Sequence, residues 1–224
     1  MPTNVRVVEG RTAAVIGATG LVGSHVLAQL QNDPSFITIG VLVRRPVPFN
    51  HPKIRVILLD FADHASFKSA VAGTDALFCA VGTTQKKVHG DRDAYRRVDY
   101  DIPVHAAQFC AETGCPHFLL VSSVGASSAS RSFYTKLKGE VEDKVKGMGI
   151  PSLSIFRPSL LLGDRKESRP AERIAQALMR LCSFLLPSRY KPIAAQDVAR
   201  AMIAASKRDT PGCHVYHYKE MRDL

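Results

Sequence analysis

The segment AAVIGATGLVGSHV, residues 13–26, restricts the fold more than any other stretch of the chain. An apolar run of strand length, residues 11–17, meets Gly17, Gly20 and Gly23 at a spacing of three, and an apolar helical pattern follows over residues 21–31. Gly17 permits the tight turn, Gly20 lets a pyrophosphate approach the backbone, and Gly23 lets the helix press against the sheet. A helix that begins there directs its unpaired N–H groups and positive dipole end at whatever the turn holds. Thr19, Leu21 and Val22 complete the rim. This predicts a bound dinucleotide; the alternative is a Gly-rich strand-to-helix turn without a ligand.

The rest of the chain keeps the alternation. Strands are expected at 36–43, 53–60, 75–82, 117–123 and 151–159, with helices at 64–73, 100–114 and 132–148. Continuous apolar strands separated by helices are buried on both faces. The expectation is a Rossmann-type α/β fold, a doubly wound parallel sheet with helices on both faces, in one NAD(P)-binding domain over residues 1–224. The rhythm breaks near residue 160, so residues 159–194 are assigned to a small C-terminal substrate lobe. Pro170 would open a helix in it, and Asp197 would cap the helix after it.

The second strand decides between cofactors. An NAD site usually ends that strand with an acid on the ribose hydroxyls. Here it ends VLVRRP, and no acidic residue occurs between Asp33 and Asp60. Arg44 and Arg45 stand where a 2′-phosphate would sit, and a guanidinium can fork onto phosphate or stack on adenine. NADP(H) is therefore expected over NAD(H). Asp60, followed by Phe61, either accepts from the adenine amino group or caps the next helix. Ala80, Val81 and Gly82 end the fourth strand with a mostly small set that suits close passage of a cofactor or close packing.

The fifth strand ends in Ser122 and Ser123, and Tyr134 lies four residues before Lys138. Taken alone this pair is weak, because Tyr134, Leu137, Val141, Val145 and Met148 also form an apolar stripe at helical spacing. Glu140–Lys144 and Glu142–Lys146 read as solvated i,i+4 pairs. Behind the glycine turn, however, the same helix begins at the carboxyl edge of the sheet, where ligands bind. That position is the one a catalytic Tyr134–Lys138 pair would need, with Ser122 and Ser123 on the same edge.

GATGLVG, CAVG, VSS, the YTKLK helix and the sixth-strand FRP together resemble the short-chain dehydrogenase/reductase superfamily in its extended and atypical branches. More narrowly, GTTQKKVHGDRDAYRRVDYDIP, SSVG…YTKLKGEVE and FRPSLLLGDRKESRP resemble the Tat-interacting tumour-suppressor-type oxidoreductases. The resemblance implies an oxidoreductase acting on a small carbonyl or alcohol, with Ser123, Tyr134 and Lys138 catalytic. It places Ser122, Tyr134, Lys138, Arg157 and Pro158 beside the cofactor. Three departures stand out: Leu137 where many members have Ser, Asp99 where extended members carry Asn, and little chain left for a substrate lobe. A small lobe leaves the pocket open or completed by a second subunit in a homodimer. The second reading is an NADP(H)-binding, redox-responsive interaction protein with little turnover, its candidate surfaces the helix 171–186 and the basic loop 85–97.

The remaining composition narrows the partners. The net charge is +10, but the basic residues are dispersed and no helix carries a one-sided basic face, which argues against nucleic acid. No apolar run is long enough to span a bilayer, and residues 1–10 lack the apolar core of a secretory signal. Cys79, Cys110, Cys115, Cys182 and Cys213 lack metal-like spacing and read as free thiols, so a cytoplasmic location and no metal are expected.

Overall fold

The computed structural model of the chain describes residues 10–163, 187–208 and 210–224. Its first strand, β1 (Arg11–Ile16), is followed by α1 (Leu21–Asn32), β2 (Phe36–Val43), β3 (Ile54–Leu58), α2 (His64–Val71) and β4 (Ala76–Cys79). Then come α3 (Arg92–Arg96), a π-helical turn (Arg97–Asp101), α4 (Ile102–Thr113), β5 (His117–Val121), α5 (Phe133–Lys146) and β6 (Ser152–Phe156). A short parallel pair, β7 (Leu161–Leu162) with β8 (Ile193–Ala194), precedes α6 (Ala195–Ser206), β9 (Gly212–Tyr216) and α7 (Tyr218–Asp223).

The main sheet has the order β3-β2-β1-β4-β5-β6-β9, and every neighbouring pair runs parallel. The order reverses between β1 and β4, which opens the crevice where doubly wound sheets bind ligands. Alternation along the strands sorts the core into two layers. Ala13 and Val15 of β1 face α1 and α6, whereas Ala14 and Ile16 face α2, α4 and α5. Val26, Leu27 and Leu30 of α1 pack in one cluster with Val198, Ala199 and Met202 of α6, and the Gln29 side chain donates to the Gln196 carbonyl at 3.1 Å. Each large apolar side chain so buried stabilises by about 1.5–3 kcal/mol before entropy is counted.

Several local expectations change. The strands stop early, so residues 80–82 and 122–123 lie in the turns at the carboxyl edge. Asp63, not Asp60, caps α2, its carboxylate accepting from the N–H groups of Ala65 and Ser66. Asp60 instead accepts from the Ala62 N–H in a local turn. The N-cap of α6 is Ala194; Asp197 falls in the first turn, where it meets Arg200 and Arg222. The helix expected at 100–114 begins at Arg92, under an Asp91 cap. Pro103 accounts for the widened turn before α4: a proline lacks the N–H for the carbonyl four residues back, Asp99, and its ring would strike it. The helix expected from Pro170, and most of the 159–194 lobe, lie outside the described residues.

Candidate active site

The glycine turn forms a close-fitted cradle. Gly17 adopts φ +86°, and a Cβ there would come within 2.6 Å of the Ala80 carbonyl oxygen at the end of β4. The Gly20 N–H donates to the Gly17 carbonyl at 2.8 Å. A Cβ on Gly23 would stand 2.1 Å from that same carbonyl, so only glycine lets α1 approach. Gly20 caps α1 with no side chain in the way, which leaves the first-turn N–H groups for an anion. Thr19 is exposed, Leu21 half-buried and Val22 buried at this rim, with Ala80 and Val81 opposite and Gly82 exposed beyond them. These residues fit a dinucleotide pyrophosphate.

Arg44 and Arg45 follow β2 at the surface, and among the described residues neither has an ion pair or hydrogen bond. Phe61, expected at the cofactor, packs edge-on against Phe67 with centroids 4.9 Å apart, inside the lower core. Asp60 stays exposed at the end of β3.

The structure divides the expected catalytic residues. Ser122 is buried and donates to Glu142 Oε1 at 2.5 Å. Arg157 donates to both oxygens of the same carboxylate, from Nε at 2.9 Å and from Nη2 at 2.5 Å. Both side chains, expected beside the cofactor, are thus engaged by this carboxylate. The reason is Glu142, wholly buried on α5, whose charge would be prohibitive without such partners. The Glu142–Lys146 pair exists at 3.5 Å, but its carboxylate is not solvated; Glu140 pairs with Arg96 rather than Lys144. Pro158 is buried, its carbonyl accepting from the Val124 N–H. Ser123 is half-buried, with only a long 3.3 Å bond from its hydroxyl to the Val124 carbonyl.

Tyr134 and Lys138 part company from the apolar stripe. Leu137, Val141 and Val145 are buried, but Tyr134 is 38% exposed, and no hydrogen bond holds its hydroxyl among the described residues. Lys138, one turn on, is buried and places Nζ 3.0 Å from Asp99 Oδ1. Burial alone would push the ammonium down; the Asp99 carboxylate, and Tyr134 once ionised, outweigh it and hold Lys138 above its ordinary value. Asp99 is equally buried, and its Oδ2 accepts from the Thr83 N–H at 2.7 Å. Tyr95 of α3 closes the group, donating to the Thr83 carbonyl at 3.2 Å and meeting Phe133 edge-on. Beneath them the buried Cys79 thiol is pushed up to about 12 by desolvation.

Sequence reasoning noticed Asp99 only as a departure from a pattern and missed Thr83 and Glu142 as parts of the site. Glu142 carries a local signal, since it stands beside the buried stripe of α5. Among the described residues no three His, Cys, Asp or Glu side chains gather as metal ligands, and no helix is long and apolar enough to cross a membrane.

Comparison with known proteins supplies the family and supports the fold. Residues 17–209 match the NAD(P)H-binding family. The protein HTATIP2 of Rattus norvegicus is 34% identical over 75% of this chain and 70% of its own length. The mitochondrial protein FMP52 of Candida albicans is 33% identical over 88% of this chain and 89% of its own. Among solved structures, MoeE5 in complex with UDP-glucuronic acid and NAD superposes with a TM-score of 0.71 at 18% identity, covering 93% of this chain and 76% of that one. The UDP-N-acetylglucosamine 4-epimerase of Methanobrevibacter ruminantium M1 gives 0.72 at 16% identity, over 93% and 76%. These structures share the Rossmann fold, and the short-chain dehydrogenase/reductase resemblance stands. The expected cytoplasmic location does not: several fungal relatives are named as mitochondrial proteins, in Candida, Aspergillus and Eremothecium alike.

Proposed function

This chain belongs to the NAD(P)H-binding family, and from that premise we propose that it is an NADP(H)-dependent oxidoreductase working on a small carbonyl or alcohol through Ser123, Tyr134 and Lys138. The observation that carries the reading is the pairing of an accessible phenol, Tyr134, with a buried ammonium one helical turn away, at the edge of the sheet that also holds the glycine cradle. The cofactor, when bound, supplies or takes the hydride. The chain does the rest. The cradle orients the pyrophosphate, Arg44 and Arg45 meet the 2′-phosphate, Ser123 donates to the substrate oxygen, and Tyr134 exchanges the proton at that oxygen. Burial of Lys138 and Asp99 keeps water from dispersing their influence on the phenol. The domain is one unit over 1–224, with the substrate side assigned to the segment 159–194.

The test is Tyr134→Phe. The variant should bind NADPH as the wild type does and lose at least about a hundredfold in turnover of carbonyl substrates that the wild type reduces, the usual worth of a general acid. Equal turnover by the two proteins would remove Tyr134 from the chemistry.

A further inference from the structure

We infer that Asp99 offsets the charge that Lys138 presents to Tyr134, so that Asp99 is the residue that sets how far the lysine favours the phenolate. The inference rests on Tyr134 as the proton-transferring group and adds the residue that tunes it.

The geometry is that of a closed pair. Lys138 Nζ lies 3.0 Å from Asp99 Oδ1, with side-chain exposures of 6% and 1%. The second carboxylate oxygen accepts the Thr83 N–H at 2.7 Å, so each oxygen of Asp99 has a donor. Its place is fixed by backbone. The widened turn ahead of Pro103 carries Asp99. Two donors, the Lys138 ammonium and the Thr83 N–H, hold its carboxylate from different elements.

An isolated ammonium one turn from a phenol favours the phenolate and makes a base of it. An ammonium with a carboxylate 3.0 Å away presents a dipole instead. The other groups around it do not restore a net positive charge. Tyr95, from α3, has its phenol pushed up by burial and then by Asp99 and Tyr134. Cys79, from β4, is pushed up to about 12 and is neutral. Arg92 sits over the Phe133 ring at 5.2 Å but is exposed, where solvent screens it. The N-terminus of α5 supplies a partial positive charge only. The lysine charge that reaches Tyr134 is therefore partly offset. With NADPH bound, the cofactor would supply the hydride to a carbonyl carbon, and Tyr134 would give the oxygen its proton and regain one from water.

The experiment is a pH titration of the full chain labelled with ¹³Cζ-tyrosine, the Tyr134 resonance being the one absent in Tyr134→Phe. Asp99→Asn should bring the Tyr134 transition down by about one pH unit or more, because the lysine charge is then unopposed. The double variant Asp99→Asn with Lys138→Met, uncharged on both sides, should titrate close to wild type. An unchanged transition in Asp99→Asn overturns the inference. So does a double variant that titrates well above wild type, and this second variant decides the matter if the first fails to fold. The titration needs no substrate, so its failure is distinguishable from a failure of Tyr134 to support turnover.

Discussion

Arg157 grips Glu142 with two parallel hydrogen bonds, Nε to Oε1 at 2.9 Å and Nη2 to Oε2 at 2.5 Å, and so ties the end of β6 to the middle of α5. Because α5 carries Tyr134 and Lys138, this fork fixes the position of the site from behind.

Removing Glu142 leaves the buried Ser122 hydroxyl without its acceptor and the partly buried Arg157 guanidinium without its counter-charge. Glu142→Ala should lower the stability of the fold by about 3–5 kcal/mol, read from the urea midpoint at constant slope. Arg157→Lys should recover little of the pair, since an ammonium lacks the planar fork. A midpoint unchanged by Glu142→Ala would mean that Ser122 and Arg157 hold their places without it.

The Arg44/Arg45 assignment yields a second prediction. Replacing both with Ala should weaken NADPH binding by tenfold or more, on the order of 1.5–3 kcal/mol for a lost charged hydrogen bond, and leave NADH nearly untouched. Titration calorimetry with both nucleotides reads the difference. Equal losses for the two cofactors would place the arginines elsewhere, on the adenine or on nothing.

The third prediction concerns alkaline pH. Lys138 in the folded chain is held above its ordinary value of 10.5, with desolvation opposing and Asp99 and Tyr134 prevailing. A group raised on folding contributes stability that is complete below its unfolded value and lost as pH rises through the folded one. Wild type should therefore keep that contribution up to pH 10.5 and lose it above. The double variant Asp99→Asn with Lys138→Met should show a shallower decline over the same range. Urea midpoints measured across the alkaline range for both proteins check this, and parallel curves would contradict it.

The layers of the fold were legible because parallel strands buried on both faces read as continuous apolar runs. The glycine cradle was legible for a different reason, since two of its three positions, Gly17 and Gly23, leave no room for a side chain. What the sequence obscured lies where geometry adds a partner. Ser122 and Ser123 are chemically alike, and only the buried Glu142, twenty residues beyond Ser122, spends one of them. Asp60 reads as one candidate cap for the next helix, but Asp63 stands immediately before that helix and takes the place. The turn at Arg97–Asp101 follows no simple helical period, so the inward aim of Asp99 left no trace in the spacing.

The order of the chain and the order of the layers do not coincide. α1, the helix that presents the glycine cradle, packs on its sequence neighbours β1 and β2 and also on α6, which is complete only at Ser206. During synthesis the part of its apolar side that meets α6 therefore waits until Ser206 is made. The cradle thus gains its full mechanical support long after its own residues are in place.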